Sequence, residues 1–119
     1  MIKVVTNQNG TFATFTELVT IEDAKKAGSF LDINNNLLAT VLKRTNISWA
    51  DISNIDKFGF TINRNRYNLN KFSYLRLELF YYKPSKGFFS FRQGRYDYRK
   101  INLDLFEPFT ITADCMQYK

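Results

Sequence analysis

Residues 72–100 read FSYLRLELFYYKPSKGFFSFRQGRYDYRK, two apolar, β-prone runs around Lys83-Pro84-Ser85-Lys86-Gly87. Proline and glycine suit a turn and not the middle of an element, so a long β-hairpin is expected here. Strand side chains alternate with period two, which puts Leu75, Leu77, Leu79 and Tyr81 on one side of the first arm. Tyr74, Arg76, Glu78, Phe80 and Tyr82 fall on the other. The leucine side is the expected core face. The opposite side, aromatic with an arginine and an acid, is not how a passive solvated surface is built. In the second arm Phe88, Phe89, Phe91, Tyr96 and Tyr98 interleave with Arg92, Arg95, Arg99 and Lys100, and Gly94 marks a bulge or bend.

The stretch holds ten of the chain's twenty aromatics and seven Lys/Arg against two acids, a local charge of +5 out of +6 overall. The abundance of Phe, Tyr, Asn, Ile and Lys is the bias that AT-rich coding produces, but such a bias does not account for arginines concentrating here. Net positive charge with a pI near 9.5 favours a polyanionic partner. At 119 residues the chain is expected to be a single domain, residues 1–119, with one core and no need of disulfide or metal staples. No run of eighteen apolar residues and no signal peptide is read, so no membrane association and a cytoplasmic location are expected.

Histidine is absent and Cys115 is the single cysteine. The usual zinc sites and histidine-based triads are therefore excluded, and Cys115 reads as a small core residue. The eleven acids are scattered with no DxD, ExK or glycine-rich phosphate loop. No catalytic residue, metal, cofactor or small-molecule substrate is expected, and the chain does not read as an enzyme.

Residues 2–6 form an expected strand, Asn9-Gly10 a tight turn, and 11–21 the partner strand. Thr20 with Asp23 offers a capping box for a short helix over 20–28. Residues 30–33 make a possible strand fragment, and 37–44 is ambiguous between strand and helix. The principal helix is expected within 45–57, with Ser48 as N-cap and Trp49, Ile52 and Ile55 on one face, Trp49 anchoring the core. Residues 58–67 alternate as a strand in which Arg64 and Arg66 extend the side begun by Phe58, Phe60 and Ile62. Ile101, Leu103 and Leu105 also alternate, and 109–115 is a last strand.

This order predicts a mainly β fold with one principal helix, an OB-like small β-barrel. The alternative is an α+β fold with a helix-turn-helix over 37–71, in which Arg64 and Arg66 occupy a recognition segment. Against it stand the four asparagines and the poor helix propensity of 60–70.

Single-stranded nucleic acid presents flat bases to stack on aromatics and phosphates for Lys and Arg to follow, with no sequence code required. The candidate nucleic-acid-binding residues are Tyr74, Arg76, Phe80, Tyr82, Lys83, Lys86, Phe91, Arg92, Arg95, Tyr96, Tyr98 and Arg99, with Arg64 and Arg66. Small, basic, aromatic-rich and histidine-free, with a basic-aromatic hairpin at 72–100, the chain resembles the single-stranded DNA-binding proteins of bacteriophages. That resemblance implies sequence-independent coating of single-stranded DNA in replication or recombination, in the host cytoplasm if the chain is phage-encoded, by a dimer or larger homo-oligomer. RNA is left open as the alternative strand. Cellular members of that family end in an acidic tail; residues 113–119 do not, so recruitment through such a tail is not expected. The alternatives to this reading are a helix-turn-helix regulator of double-stranded DNA and a structural or oligomerisation module without nucleic acid.

Overall fold

The computed structural model describes residues 1–84, 94–96 and 98–119, and of 82–84 and 94–96 the backbone course alone. In chain order the elements are β1 (Ile2–Asn7), β2 (Gly10–Val19), α1 (Ile21–Lys26), α2 (Leu37–Lys43), β3 (Ile52–Asp56), β4 (Gly59–Ile62), β5 (Asn65–Leu69), α3 (Lys71–Leu79), β6 (Tyr82–Pro84), β7 (Gly94–Tyr96) and β8 (Phe109–Cys115). Six strands form one antiparallel sheet in the order β1-β2-β8-β5-β4-β3, while β6 and β7 pair as a separate ribbon. The fold is mainly β, as the sequence indicates. The large sheet is open, ending in β1 on one side and β3 on the other.

Alternation decides the two faces of the sheet. Ala13, Phe15 and Val19 of β2, Phe60 and Ile62 of β4, Tyr67 and Leu69 of β5 and every second residue of β8 from Phe109 to Cys115 are buried in one cluster. Leu37, Leu38, Val41 and Leu42 of α2 and Ala24 of α1 belong to the same cluster. Each fully buried leucine or phenylalanine contributes about 1.5–3 kcal/mol relative to exposure. The opposite face carries Thr14, Thr16, Thr61, Arg66, Asn68, Thr112 and Asp114, and Thr14 donates across to the Asp114 carboxylate (3.0 Å). It is a solvated face of the kind that antiparallel sheets tolerate.

The first hairpin forms where the sequence places it. The Asn9 N–H donates to the Asn7 side chain (2.8 Å), and Gly10 takes φ +127°, a backbone that residues with a Cβ rarely adopt. The capping box also forms: Asp23 N–H donates to Thr20 Oγ1 (3.3 Å) and Thr20 N–H to Asp23 Oδ2 (2.8 Å). Arg44, just past the end of α2, then grips the buried Asp23 carboxylate with Nε (2.6 Å) and Nη2 (2.8 Å), locking α2 to the start of α1.

Burial pushes the Asp23 carboxyl up, but Arg44 and the Thr20 donors outweigh it and hold its pKa below the ordinary value. A depressed folded-state pKa stabilises above the unfolded value and loses that contribution as pH falls through the folded one. Asp23→Ala is expected to lower stability by about 2–3 kcal/mol at neutral pH, from a lost cap and lost charge-assisted bonds. Urea unfolding followed against pH should show a shallower acid limb in the variant than in the parent.

Several expectations are corrected. The first arm of the 72–100 hairpin is the helix α3; among the described residues that follow it, β6 and β7 pair as strands. Asn70 caps α3 by accepting from Ser73 N–H (2.8 Å). Asn70 N–H then donates to Thr112 O (3.0 Å) and Ser73 Oγ accepts from Thr112 N–H (2.8 Å), so the helix start satisfies the β8 edge where β5 ends. Helical spacing replaces the alternating faces: Ser73, Leu77 and Phe80 turn inward, while Phe72, Leu75 and Leu79 lie exposed.

The principal helix expected in 45–57 is instead a 3-10 turn at Trp49–Asp51 followed by β3. Ser48 makes no side-chain cap bond, and Ile52 and Ile55 pack from a strand. Trp49 still packs against the core, half-exposed, with Lys43 Nζ 4.8 Å from its ring centre.

The ambiguous 37–44 resolves as α2, capped by Asn36, whose side chain accepts from Ala39 N–H (2.9 Å). Residues 58–67 form no single strand but a hairpin, β4 and β5, turning at Asn63 with φ 57°. The helix-turn-helix alternative falls with this, because β3, β4 and β5 occupy the place of its second and third helices. Residues 30–33 and 103–105 lie in turns and irregular chain.

Candidate nucleic-acid interface

The exposed side of α3 is set by its period. Phe72, Leu75, Arg76 and Leu79, at i, i+3, i+4 and i+7, line an open groove of about 460 Å³ together with Glu78. Phe72 is 53 % exposed, and the Arg76 guanidinium carbon lies 5.0 Å from the centre of its ring. A cation over an aromatic face is attracted by the ring quadrupole, and the ring and guanidinium planes both offer stacking surface. Reading 72–79 as a strand hid this pairing. The signal for it was present in Asn70, an N-cap residue three positions before Ser73.

The predicted site residues divide. Arg76 joins the groove. Tyr74 is half-buried and packs edge-on against Phe58 (5.1 Å between ring centres, 80° between planes). Phe80 is corrected to a core residue: it is 2 % exposed and packed between Phe106 (5.0 Å) and Phe109 (5.6 Å), so no base reaches it. Its neighbour Tyr81 is buried as well, donating its hydroxyl hydrogen to Gly28 O (2.8 Å) and accepting from Leu37 N–H (3.2 Å).

Backbone register sets Tyr82 opposite Tyr96 and Lys83 opposite Arg95, so four predicted residues come together as two cross-strand pairs on the ribbon. Lys86, Phe91 and Arg92 lie outside the described residues. Tyr98 and Arg99 follow the ribbon and are exposed, and the Tyr98 carbonyl accepts from Phe30 N–H (2.6 Å). Asn102 N–H donates to Phe80 O (2.7 Å), so both ends of the ribbon segment are tied to the body of the fold.

Arg64 and Arg66 stand elsewhere. They line a separate groove of about 260 Å³ with Asn68, Met116, Gln117 and Lys119, beside the β4–β5 turn. Since α3 begins from the other end of β5, the two regions are roughly 15–20 Å apart along the chain at about 3.3 Å per strand residue. Arg66 is engaged within the fold, holding both Asp56 oxygens (3.0 Å each) and donating to Asn54 O (2.6 Å). It braces β3 against β5. Arg64 is exposed and forms no ion pair among the described residues.

Burial pushes the Tyr67 hydroxyl up to about 12, which keeps it protonated at neutral pH, and Cys115 is buried. Among the described residues no three His, Cys, Asp or Glu side chains gather as metal ligands, and no helix is long and apolar enough to cross a membrane. No protein family matches the chain, and comparison with curated proteins and with solved structures gives no match.

Proposed function

We propose that the chain binds single-stranded DNA without reading its sequence, through the exposed face of α3 and the β6–β7 ribbon that follows it. The observation that carries this reading is the exposed Phe72 ring with Arg76 against it, inside an open groove. Bases would stack on Phe72 and the Arg76 plane, while Lys71, Arg76, Arg99 and Lys100 and the ribbon's Lys83 and Arg95 follow phosphates. A closed OB-like barrel is not required, since stacking needs only aromatics beside cations on an accessible surface. On this reading the role is binding and not catalysis, with no metal or cofactor, in replication or recombination in the cytoplasm.

Titration of fluorescently labelled oligo-dT and of duplex DNA, read by anisotropy across a salt series, tests it. Binding to oligo-dT should be the tighter and should fall steeply with salt. Phe72→Ala should weaken it about 5- to 150-fold, the equivalent of one lost base stack, and leave the fold intact. Equal affinity for single strand and duplex would sink the stacking mechanism. A second reading, a protein-binding module, is favoured by the exposure of Leu75 and Leu79 on the same helix face. Absence of any nucleic-acid binding at low salt would leave that reading standing alone.

A further inference from the structure

The two edges of the large sheet are finished differently. At β3 the pairing register shifts between Ser53 and Asp56, Asn54 takes φ 50°, and Arg66 binds both Asn54 O and the Asp56 carboxylate. A bulged edge carrying an acid is one of the ways proteins stop a sheet from growing. Strand β1 has none of these devices. It pairs with β2 without a shift from Ile2 to Asn7, it has no proline, and Lys3 is its one charged residue. Val4 and Val5 are 46 % and 47 % exposed.

Which backbone groups face outward follows from the ladder. Thr16 N–H donates to Met1 O (2.9 Å) and the Met1 nitrogen to Thr16 O (2.6 Å), so residues 1 and 16 are a hydrogen-bonded pair. Such pairs alternate in an antiparallel ladder. Ile2, Val4 and Thr6 are therefore the non-hydrogen-bonded positions, as the Thr6–Thr11 hydroxyl contact of 3.1 Å between close-set side chains also indicates. Their N–H and C=O groups point away from β2.

We propose that β1 pairs antiparallel with β1 of a second copy of this chain, across a two-fold axis at Val4, joining the two large sheets into one. In that register Val4 faces Val4, Ile2 faces Thr6 and Lys3 faces Val5. Every outward donor and acceptor of the three residues then finds a partner. An axis at Val5 engages only Val4 and Thr6 and sets Ile2 against the turn, while an axis at Lys3 sets two ammonium groups opposite each other. The strand is thus most complementary to itself in the one register that also separates its charges. Ile2 already packs on the core cluster, so Val4 from both copies continues that apolar layer across the axis. An isologous contact of this kind closes on itself and does not propagate.

The inference is independent of nucleic-acid binding and is tested without any. Light scattering after size exclusion, with sedimentation velocity across a concentration series, should find the full chain dimeric. Val4→Pro removes an N–H that β2 does not use, so circular dichroism should be kept, and the melting midpoint too at concentrations where the parent is monomeric, while the dimer dissociation constant rises at least about tenfold. Val4→Lys places two ammonium groups opposite each other at the axis. It should give a folded monomer whose dimerisation is partly restored by added salt. A parent chain that is monomeric up to about 1 mM overturns the proposal. So does a folded Val4→Lys variant that dimerises as the parent does, which decides the matter even if Val4→Pro fails to fold.

Discussion

Phe80→Ala is expected to lower the free energy of unfolding by about 3–5 kcal/mol, a large share of the roughly 5–15 kcal/mol that holds a domain of this size together. The ring lies against Phe106 and Phe109 in the core, and its removal leaves a cavity lined by side chains from the segment before β8 and from β8 itself. Urea unfolding should show a lower midpoint with an unchanged slope, because the surface exposed on unfolding is nearly the same. The comparison with Phe72→Ala is the informative one. Both phenylalanines belong to one basic-aromatic stretch, eight positions apart, yet the first change should act on stability and the second on binding. A Phe80→Ala protein of parental stability would contradict the packing described for α3.

Gly59→Ala should be as damaging for a different reason. A Cβ at this position would lie 2.1 Å from the carbonyl oxygen of Tyr67 and 3.2 Å from the Asn68 Cα, both backbone atoms of the neighbouring strand. Backbone cannot swing aside as a side chain can, so β4 and β5 must separate, disturbing the stacked Phe60 and Tyr67 rings at 5.6 Å. A loss of at least about 3 kcal/mol is expected. In a thermal melt that corresponds to a midpoint lowered by roughly 10–20 °C.

Sequence reasoning succeeded where one short-range device decides the local structure. The Asn-Gly turn, the Thr20–Asp23 capping box and the alternating residues 109–115 each carry their own instructions, and each formed. It failed where two periodicities fit the same residues. Leu75, Leu77 and Leu79 satisfy a strand's alternation, while Ser73, Leu77 and Phe80 satisfy a helix's; the choice falls to Asn70 and Ser73 capping the β8 backbone, a contact about forty residues away in sequence. Ser48 before Trp49 has the residue type of a helix cap, but β3 is drawn into the sheet by its pairing with β4, which no local signal reveals.

For the candidate site, Arg76 was legible as a cation beside aromatics. Its partner Phe72 was not, since the two meet only at helical spacing. Arg64 and Arg66 were legible as basic residues, but Arg66's engagement with Asp56 depends on β3 and β5 flanking β4.

The place of β8 has a consequence for how the chain folds. Residues 109–115 lie between β2 and β5, strands made long before them, and bond to both. Until they emerge from the ribosome, the nascent chain holds two parts of the large sheet, the β1–β2 hairpin and the β3–β4–β5 meander, without the strand that joins them. During synthesis β2 and β5 each present an uncovered apolar edge, open to pairing with a neighbouring nascent chain. Completion of the sheet is a late, long-range event and sets a folding rate slower than the local helices and turns would allow. Conditions that slow the delivery of residues 109–115 should therefore raise aggregation without altering the stability of the finished protein.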